Sequence, residues 1–159
     1  MISTQHPSPV GALTLISNGA AITHIEFEKQ KYHAPEAPRG ADKILDRVRR
    51  ELDAYFAGKL KAFETPVAPS GTAFQERVWK ALTKIPYGVT WSYGQLAAKL
   101  GNPNAQRAVG LANGRNPVPI IVPCHRVIGA NGSLTGFGGG VENKRLLLEL
   151  EQGPGLLRI

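Results

Sequence analysis

The stretch Ser92-Tyr93-Gly94-Gln95-Leu96-Ala97-Ala98-Lys99-Leu100-Gly101-Asn102-Pro103-Asn104-Ala105-Gln106-Arg107-Ala108-Val109-Gly110-Leu111-Ala112 holds a helix start, a stop and a second helix in quick succession. Ser92 and Gln95 have capping-box spacing, in which each side chain satisfies a free backbone N–H near the other. Leu96, Ala97 and Leu100 supply one apolar side, and Gly101 is a left-handed stop. Asn102-Pro103-Asn104 is the turn, and Ala105, Ala108, Val109 and Ala112 predict the inner face of the next helix. Projection at about 100° per residue puts Gln106, Arg107 and Gly110 opposite them. Two short helices about a tight turn predict a helix-turn-helix. Glycine inside a helix costs about 1 kcal/mol relative to alanine. A small outer face with one protruding arginine therefore suits close approach to a nucleic acid. An ordinary solvated face with a tolerated glycine fits the pattern equally well.

Working outward, Thr72 and Gln75 form another capping box, starting a helix whose inner face is Phe74, Val78, Ala81, Leu82 and Ile85 and which Pro86-Tyr87-Gly88 ends. Residues 59–71 hold two prolines and no period, and predict a linker. Before it, Leu45, Val48, Leu52, Tyr55 and Phe56 recur at helical spacing up to Gly58, and residues 28–41 read as loop. The chain opens with a predicted hairpin: a strand over 10–17, a two-residue turn at Asn18-Gly19 and a return over 20–27. These signals predict an α/β (α+β) chain with a small lobe and linker over residues 1–70 and a mostly helical unit over 71–159.

The 159 residues are 42% hydrophobic, which suits a folded chain. No apolar run approaches the roughly 20 residues that span a bilayer, and the opening residues do not read as a signal peptide. A cytoplasmic protein without a membrane partner is expected. The single cysteine excludes a disulfide scaffold and a Cys-rich zinc site, and no metal or cofactor is expected. A net charge of +7 favours phosphate-rich partners through counterion release, although charge alone does not separate DNA binding from a merely basic surface.

The chemistry concentrates in Asn116-Pro117-Val118-Pro119-Ile120-Ile121-Val122-Pro123-Cys124-His125-Arg126. Three prolines and the β-branched residues predict extended backbone that presents Cys124 at the end of a stiff segment. A thiol of pKa about 8.5 is only a few per cent thiolate at neutral pH, so a nucleophile needs a base or a cationic neighbour. His125 and Arg126 are candidates; the competing reading is a small buried hydrophobe. The run Gly136-Phe137-Gly138-Gly139-Gly140 suits close approach of backbone to a ligand. Phe137 is placed there either to stack on a flat ring or to anchor packing. In the last predicted helix, residues 142–152, Glu151 is either a surface residue or a buried partner for His125.

These residues together resemble the O6-alkylguanine-DNA alkyltransferases, the methylated-DNA–protein-cysteine methyltransferases. The resemblance rests on Pro123-Cys124-His125-Arg126 within Ile121 to Gly129, on Ser92-Tyr93, on Arg107-Ala108-Val109-Gly110 and on Asn116-Pro117-Val118-Pro119, and runs from about Thr72 to Glu151. It implies a ribonuclease-H-like amino-terminal lobe and DNA repair by irreversible, stoichiometric transfer of an alkyl group from O6-alkylguanine in double-stranded DNA to Cys124. O4-alkylthymine is a second implied lesion. The base would be flipped out from the minor-groove side, and the protein would act as a monomer, with clustering on DNA left open.

By the same resemblance, His125 would act through a water as base, Glu151 would orient it, and Asn116 would be the hinge to the recognition helix. Arg107 would fill the gap left by the base, on a DNA-binding face with Asn102, Gln106, Ala108 and Gly110. Tyr93 would press on the target phosphate and donate to the guanine ring. Asn113, Val127, Phe137 and Gly138 would line the base pocket. Family members often carry tyrosine at Phe137, and some carry serine at Gly138, so one donor is absent and the pocket is wider. Two rivals belong to other classes: a non-catalytic alkyltransferase-like lesion-binding module, which carries tryptophan in place of the cysteine, and a Cys-His thiol hydrolase.

Overall fold

A computed structural model describes residues 1–153, so the last part of the unit expected over 71–159 lies outside the described residues. The amino-terminal half is an antiparallel sheet of β1 (Ile2–His6), β2 (Leu13–Ser17) and β3 (Ile22–Glu26), in that spatial order, covered by α1 (Lys43–Phe56). The central strand buries Leu13, Leu15 and Ile16. Strand β1 was not foreseen because its buried residues are polar and lie on opposite faces: Ser3 donates to the Ala37 carbonyl at 2.8 Å, and His6 Nε2 meets Asp53 Oδ1 at 2.7 Å. A strand that buries a serine on one face and a histidine on the other carries no alternating hydrophobic signal.

Two further expectations need correction here. Ser17 pairs with Ile22, so the hairpin connection is the four residues from Asn18 to Ala21, not the dipeptide Asn18-Gly19. Asn18 Oδ1 accepts from the N–H groups of Ala20 and Ala21 at 2.9 and 2.8 Å, an Asx turn that competes with the tighter one. Residues 59–71 are no free linker: Ile22 N donates to Pro66 O and Ala68 N to Ile22 O, both at 2.9 Å, stitching the segment to the edge strand.

The second half contains α2 (Ala73–Leu82), β4 (Trp91–Ser92), α3 (Tyr93–Lys99), α4 (Gln106–Gly114), a 3₁₀ turn (Cys124–Arg126), β5 (Val127–Ile128) and α5 (Val141–Gln152). Both capping boxes are formed, Thr72 with Gln75 and Ser92 with Gln95. Asp42 caps α1 by accepting from Leu45 N at 2.7 Å. Strands β4 and β5 pair in parallel, Trp91 opposite Val127 and Ser92 opposite Ile128. That short ladder ties the start of α3 to the segment following Cys124, and so brings Tyr93 into the same site. One buried apolar cluster runs through both halves, from Leu13, Ile25 and Tyr55 to Trp79, Val109 and Leu147.

The buried side of α4 differs from the projection. Val109, Ala112 and Asn113 are buried, while Ala108 is exposed and Ala105 half-buried. Gly110 is not on the open face; a Cβ there would lie 3.6 Å from the Tyr93 ring. The helix is rotated from the alanine stripe because Asn113, a polar residue, takes an inward position. Gln106, Arg107, Ala108 and Leu111, the last 66% exposed, form the solvent face. The small residue available for close approach is therefore Ala108.

Candidate active site

The backbone before Cys124 is folded tightly rather than extended. Val122 N donates to Val118 O at 3.0 Å and Cys124 N to Val122 O at 2.8 Å. Ile120 has φ 75°, a left-handed conformation that is costly for a β-branched residue and is held here by burial. Prolines forbid an α-helix but leave consecutive turns open, which is where the extended expectation failed. Asn116 fastens the fold: its Nδ2 donates to Val122 O at 2.8 Å, and its Oδ1 accepts from Val118 N at 3.0 Å. Asn113 Nδ2, one turn earlier on α4, donates to Cys124 O at 3.3 Å. Asn113 thus ties α4 to the cysteine segment, while Asn116, just beyond α4, holds the turns of that segment.

Cys124 is a free thiol with 3% exposure. Burial pushes it up to about 11, against the lowering influence of the Asn116 side chain, the Lys144 charge and the backbone N–H groups of Cys124 and His125. At neutral pH such a group is overwhelmingly thiol, so a proton acceptor is required.

His125 is fully buried, with Nε2 2.7 Å from Glu151 Oε2. Burial would raise Glu151, but the hydrogen bonds from His125 and Arg126 and the Arg126 charge together outweigh it and hold the carboxyl at about 2. An ionised carboxylate only accepts, so Nε2 must carry the proton. Burial lowers the histidine and keeps the ring neutral, against the opposing pull of Glu151. The neutral tautomer therefore has its lone pair on Nδ1, which has no hydrogen-bond partner among the described residues. An uncommitted basic nitrogen next to the thiol residue is what general-base chemistry requires.

Two residues here, Tyr55 and Lys144, escaped the sequence reading, and Arg126, expected as a cationic neighbour of the thiol, pairs with Glu151 instead. Arg126 grips Glu151 with Nε to Oε1 at 2.7 Å and Nη2 to Oε2 at 3.1 Å, and its Nη1 donates to Ile85 O at 2.7 Å. Tyr55, from α1, donates its hydroxyl to Glu151 Oε2 at 2.5 Å. Lys144 is completely buried and donates to Val127 O at 2.5 Å and Thr135 O at 2.8 Å, clamping β5 to the glycine-rich loop. Burial lowers its ammonium to about 8. A signal existed for the last: Lys144, Leu147, Leu148 and Glu151 are spaced i, i+3, i+4, i+7, one buried stripe of α5 with an ionisable residue at either end.

Tyr93 donates its hydroxyl to Thr135 O at 2.9 Å, so it and Lys144 share one loop carbonyl. Phe137 is buried edge-on against Phe27, with centroids 5.5 Å apart. A Cβ on Gly139 would come within 2.5 Å of the Phe27 ring, so that glycine is needed for packing within the protein as well as for any ligand. Cys124, Phe137 and Gly138 line a common cavity. Arg107 and Gln106, with Asn102 in the preceding turn, lie on the exposed side of the helix-turn-helix, apart from this buried cluster. No group of three or more metal-type ligands occurs among the described residues, and no helix there is long and apolar enough to cross a membrane.

Comparison with known proteins places these features. Residues 73–153 match the family described as 6-O-methylguanine DNA methyltransferase, DNA binding domain, and residues 1–69 match its ribonuclease-like domain. A methylated-DNA–protein-cysteine methyltransferase of Haemophilus influenzae is 48% identical over 154 residues, 95% of this chain and 86% of that protein. One from Mycobacterium tuberculosis is 52% identical over 150 residues, 91% and 88% of the two chains. A crystal structure of Mycobacterium tuberculosis OGT in complex with DNA superposes with a TM-score of 0.89 at 50% identity, covering 96% of this chain and 93% of the other. With both halves matched, and relatives near half identity along almost its whole length, this chain belongs to the methylated-DNA–protein-cysteine methyltransferase family.

Proposed function

We propose that this protein repairs DNA by moving the alkyl group of O6-alkylguanine onto Cys124, once per molecule. The observation that carries the reading is the buried Glu151–His125 pair, at 2.7 Å, whose histidine directly follows the chain's only cysteine, with Nδ1 of the imidazole unpartnered among the described residues. His125 takes the thiol proton through a water, Glu151 stabilises the imidazolium that forms, and Arg126 keeps Glu151 ionised. Sulfur attacks the alkyl carbon as its bond to O6 breaks, and the proton lost from the thiol is restored to the guanine ring. The product thioether has no leaving group that water can displace readily, so the protein is consumed.

The lesion carbon is hidden in the base stack, and flipping costs a few kcal/mol. Contacts from the exposed face of α4 in the minor groove, with Arg107 inserted, offset that cost. Ala108 and Gln106 permit the approach, Asn102 lies at the turn, and Gly110 leaves room for Tyr93. Tyr93 exchanges the Thr135 carbonyl for the target phosphate and the guanine ring. Asn113, the Val127 carbonyl, Phe137 and Gly138 then surround the base, and Asn116 is the hinge. The protein acts as a monomer on duplex DNA.

Intact mass after incubation with duplex containing O6-methylguanine tests the reading. One added methyl on the wild type, and none on Cys124→Ser at similar DNA affinity, is the expected result. Demethylated DNA without an adduct would indicate a hydrolase. Binding of the lesion by the wild type without reaction would indicate a recognition module.

A further inference from the structure

Beside Cys124 the structure has a cavity of about 120 Å³ whose two sides come from different halves of the chain. Pro119, Cys124, Phe137 and Gly138 line it from one half of the chain, and Gln30 and Tyr32, from the loop after β3, line it from the other. None of the steps above uses Gln30 or Tyr32. Their loop is nevertheless held firmly. Gln30 accepts from Phe27 N at 2.9 Å and donates to Tyr32 O at 2.7 Å, pinning the loop to itself. Lys31 N donates to Gly138 O at 3.1 Å, joining it to the glycine-rich loop. The Arg115 guanidinium lies over the Tyr32 ring, 4.0 Å from its centroid.

In a displacement at carbon, the entering sulfur and departing O6 lie in line, so the rest of the alkyl group must project sideways from that axis. Its tail enters whatever space adjoins the sulfur. A cavity of about 150 Å³ holds benzene, so this one suits a short alkyl or, at its limit, a benzyl group. Any longer tail exceeds this volume and must displace part of the lining, to which Tyr32 belongs.

Resting on the proposed alkyl transfer into this cavity, we infer that Tyr32, fixed by Arg115 and Gln30, is a specificity-determining residue through which the amino-terminal lobe limits the alkyl groups accepted. The lobe thus sets which lesions are accepted, although it carries neither the thiol nor the helix-turn-helix.

The test compares single-turnover rates on duplexes carrying O6-methyl-, O6-benzyl- or O6-(4-phenylbutyl)guanine for the wild type, Tyr32→Ala, Tyr32→Phe and Arg115→Ala. Tyr32→Ala should raise the phenylbutyl-to-methyl rate ratio by about tenfold or more, the scale on which pocket volume discriminates. Arg115→Ala, which frees the ring, should raise it less, and Tyr32→Phe should leave the wild-type order. A ratio that stays at the wild-type value in both alanine variants would overturn this role of Tyr32. Failure of the wild type to transfer even methyl would instead remove the reading on which it rests.

Discussion

The Tyr55 hydroxyl, in the amino-terminal lobe, donates to Glu151 Oε2 at 2.5 Å across 96 residues of sequence. The same oxygen receives His125 Nε2 and Arg126 Nη2. The acid of the proposed relay is thus held from both halves of the chain, and the lobe without the thiol contributes one of its ligands.

Tyr55→Phe removes that donor while keeping the ring that packs on Phe56, Phe63 and Tyr87. Leaving a buried carboxylate one donor short should cost about 1–3 kcal/mol. Glu151, less satisfied, should hold the histidine proton more strongly, so the acid limb of the alkylation rate should move to higher pH. Denaturant unfolding and a pH–rate profile check both; a destabilised variant with an unshifted profile would make Tyr55 purely structural.

Glu151→Gln should slow alkylation on the order of 10²-fold, the scale of general-base contributions, with DNA affinity unchanged. It should also destabilise the fold by about 3–5 kcal/mol, because Arg126 keeps a buried charge without its counter-ion. A stable variant reacting at the wild-type rate from pH 6 to 9 would refute the relay.

Acid should act through the same residue. Glu151 sits at about 2 when folded and 4.5 in its ordinary state, so its stabilisation is complete above pH 4.5 and fades as pH falls toward 2. At 1.4 kcal/mol per pH unit that is ~3 kcal/mol. His125, lowered by burial, adds to the acid sensitivity below its ordinary 6.5, since the unfolded chain takes up that proton first. Melts from pH 7 to 3 should fall steeply in the wild type and markedly less in Glu151→Gln. Parallel curves would contradict the assignment.

Lys144→Met should slow reaction with free O6-benzylguanine by about tenfold, through loss of the cation that favours the Cys124 thiolate and of the clamp on Val127 and Thr135. Stopped-flow or mass-based rates on the free base check this without involving DNA.

Arg107→Ala should slow repair in duplex more than reaction with the free base, which needs no flipping. Equal losses on both substrates would deny the side chain its proposed place in the helix gap.

Much of this was legible in the chain because local chemistry decides it. The capping boxes at Thr72 and Ser92 place α2 and α3, and Gly101 stops α3 with φ 76°. What stayed hidden depends on partners distant in sequence. Tyr55 reads as one more apolar helix residue until Glu151 meets it, and the spacing of Lys144 with Leu147 and Leu148 hints at its burial but not at the two carbonyls that receive it. The Pro-rich segment excluded an α-helix correctly but not the compact turns that Asn116 holds. Ala108 seemed buried because the inward place of Asn113 cannot be read from apolar spacing. Pairing of His125 with Glu151 stood in the residues only as one of two alternatives, and the family resemblance favoured it.

The most direct measurement is the number of lesions repaired per protein molecule when O6-methylguanine duplex is in large excess. The account predicts a plateau at one, with the methyl recovered on the peptide containing Cys124 and the remaining lesions untouched however long the incubation. Repair that continues past one equivalent, or a methyl recovered on any other residue, would contradict it.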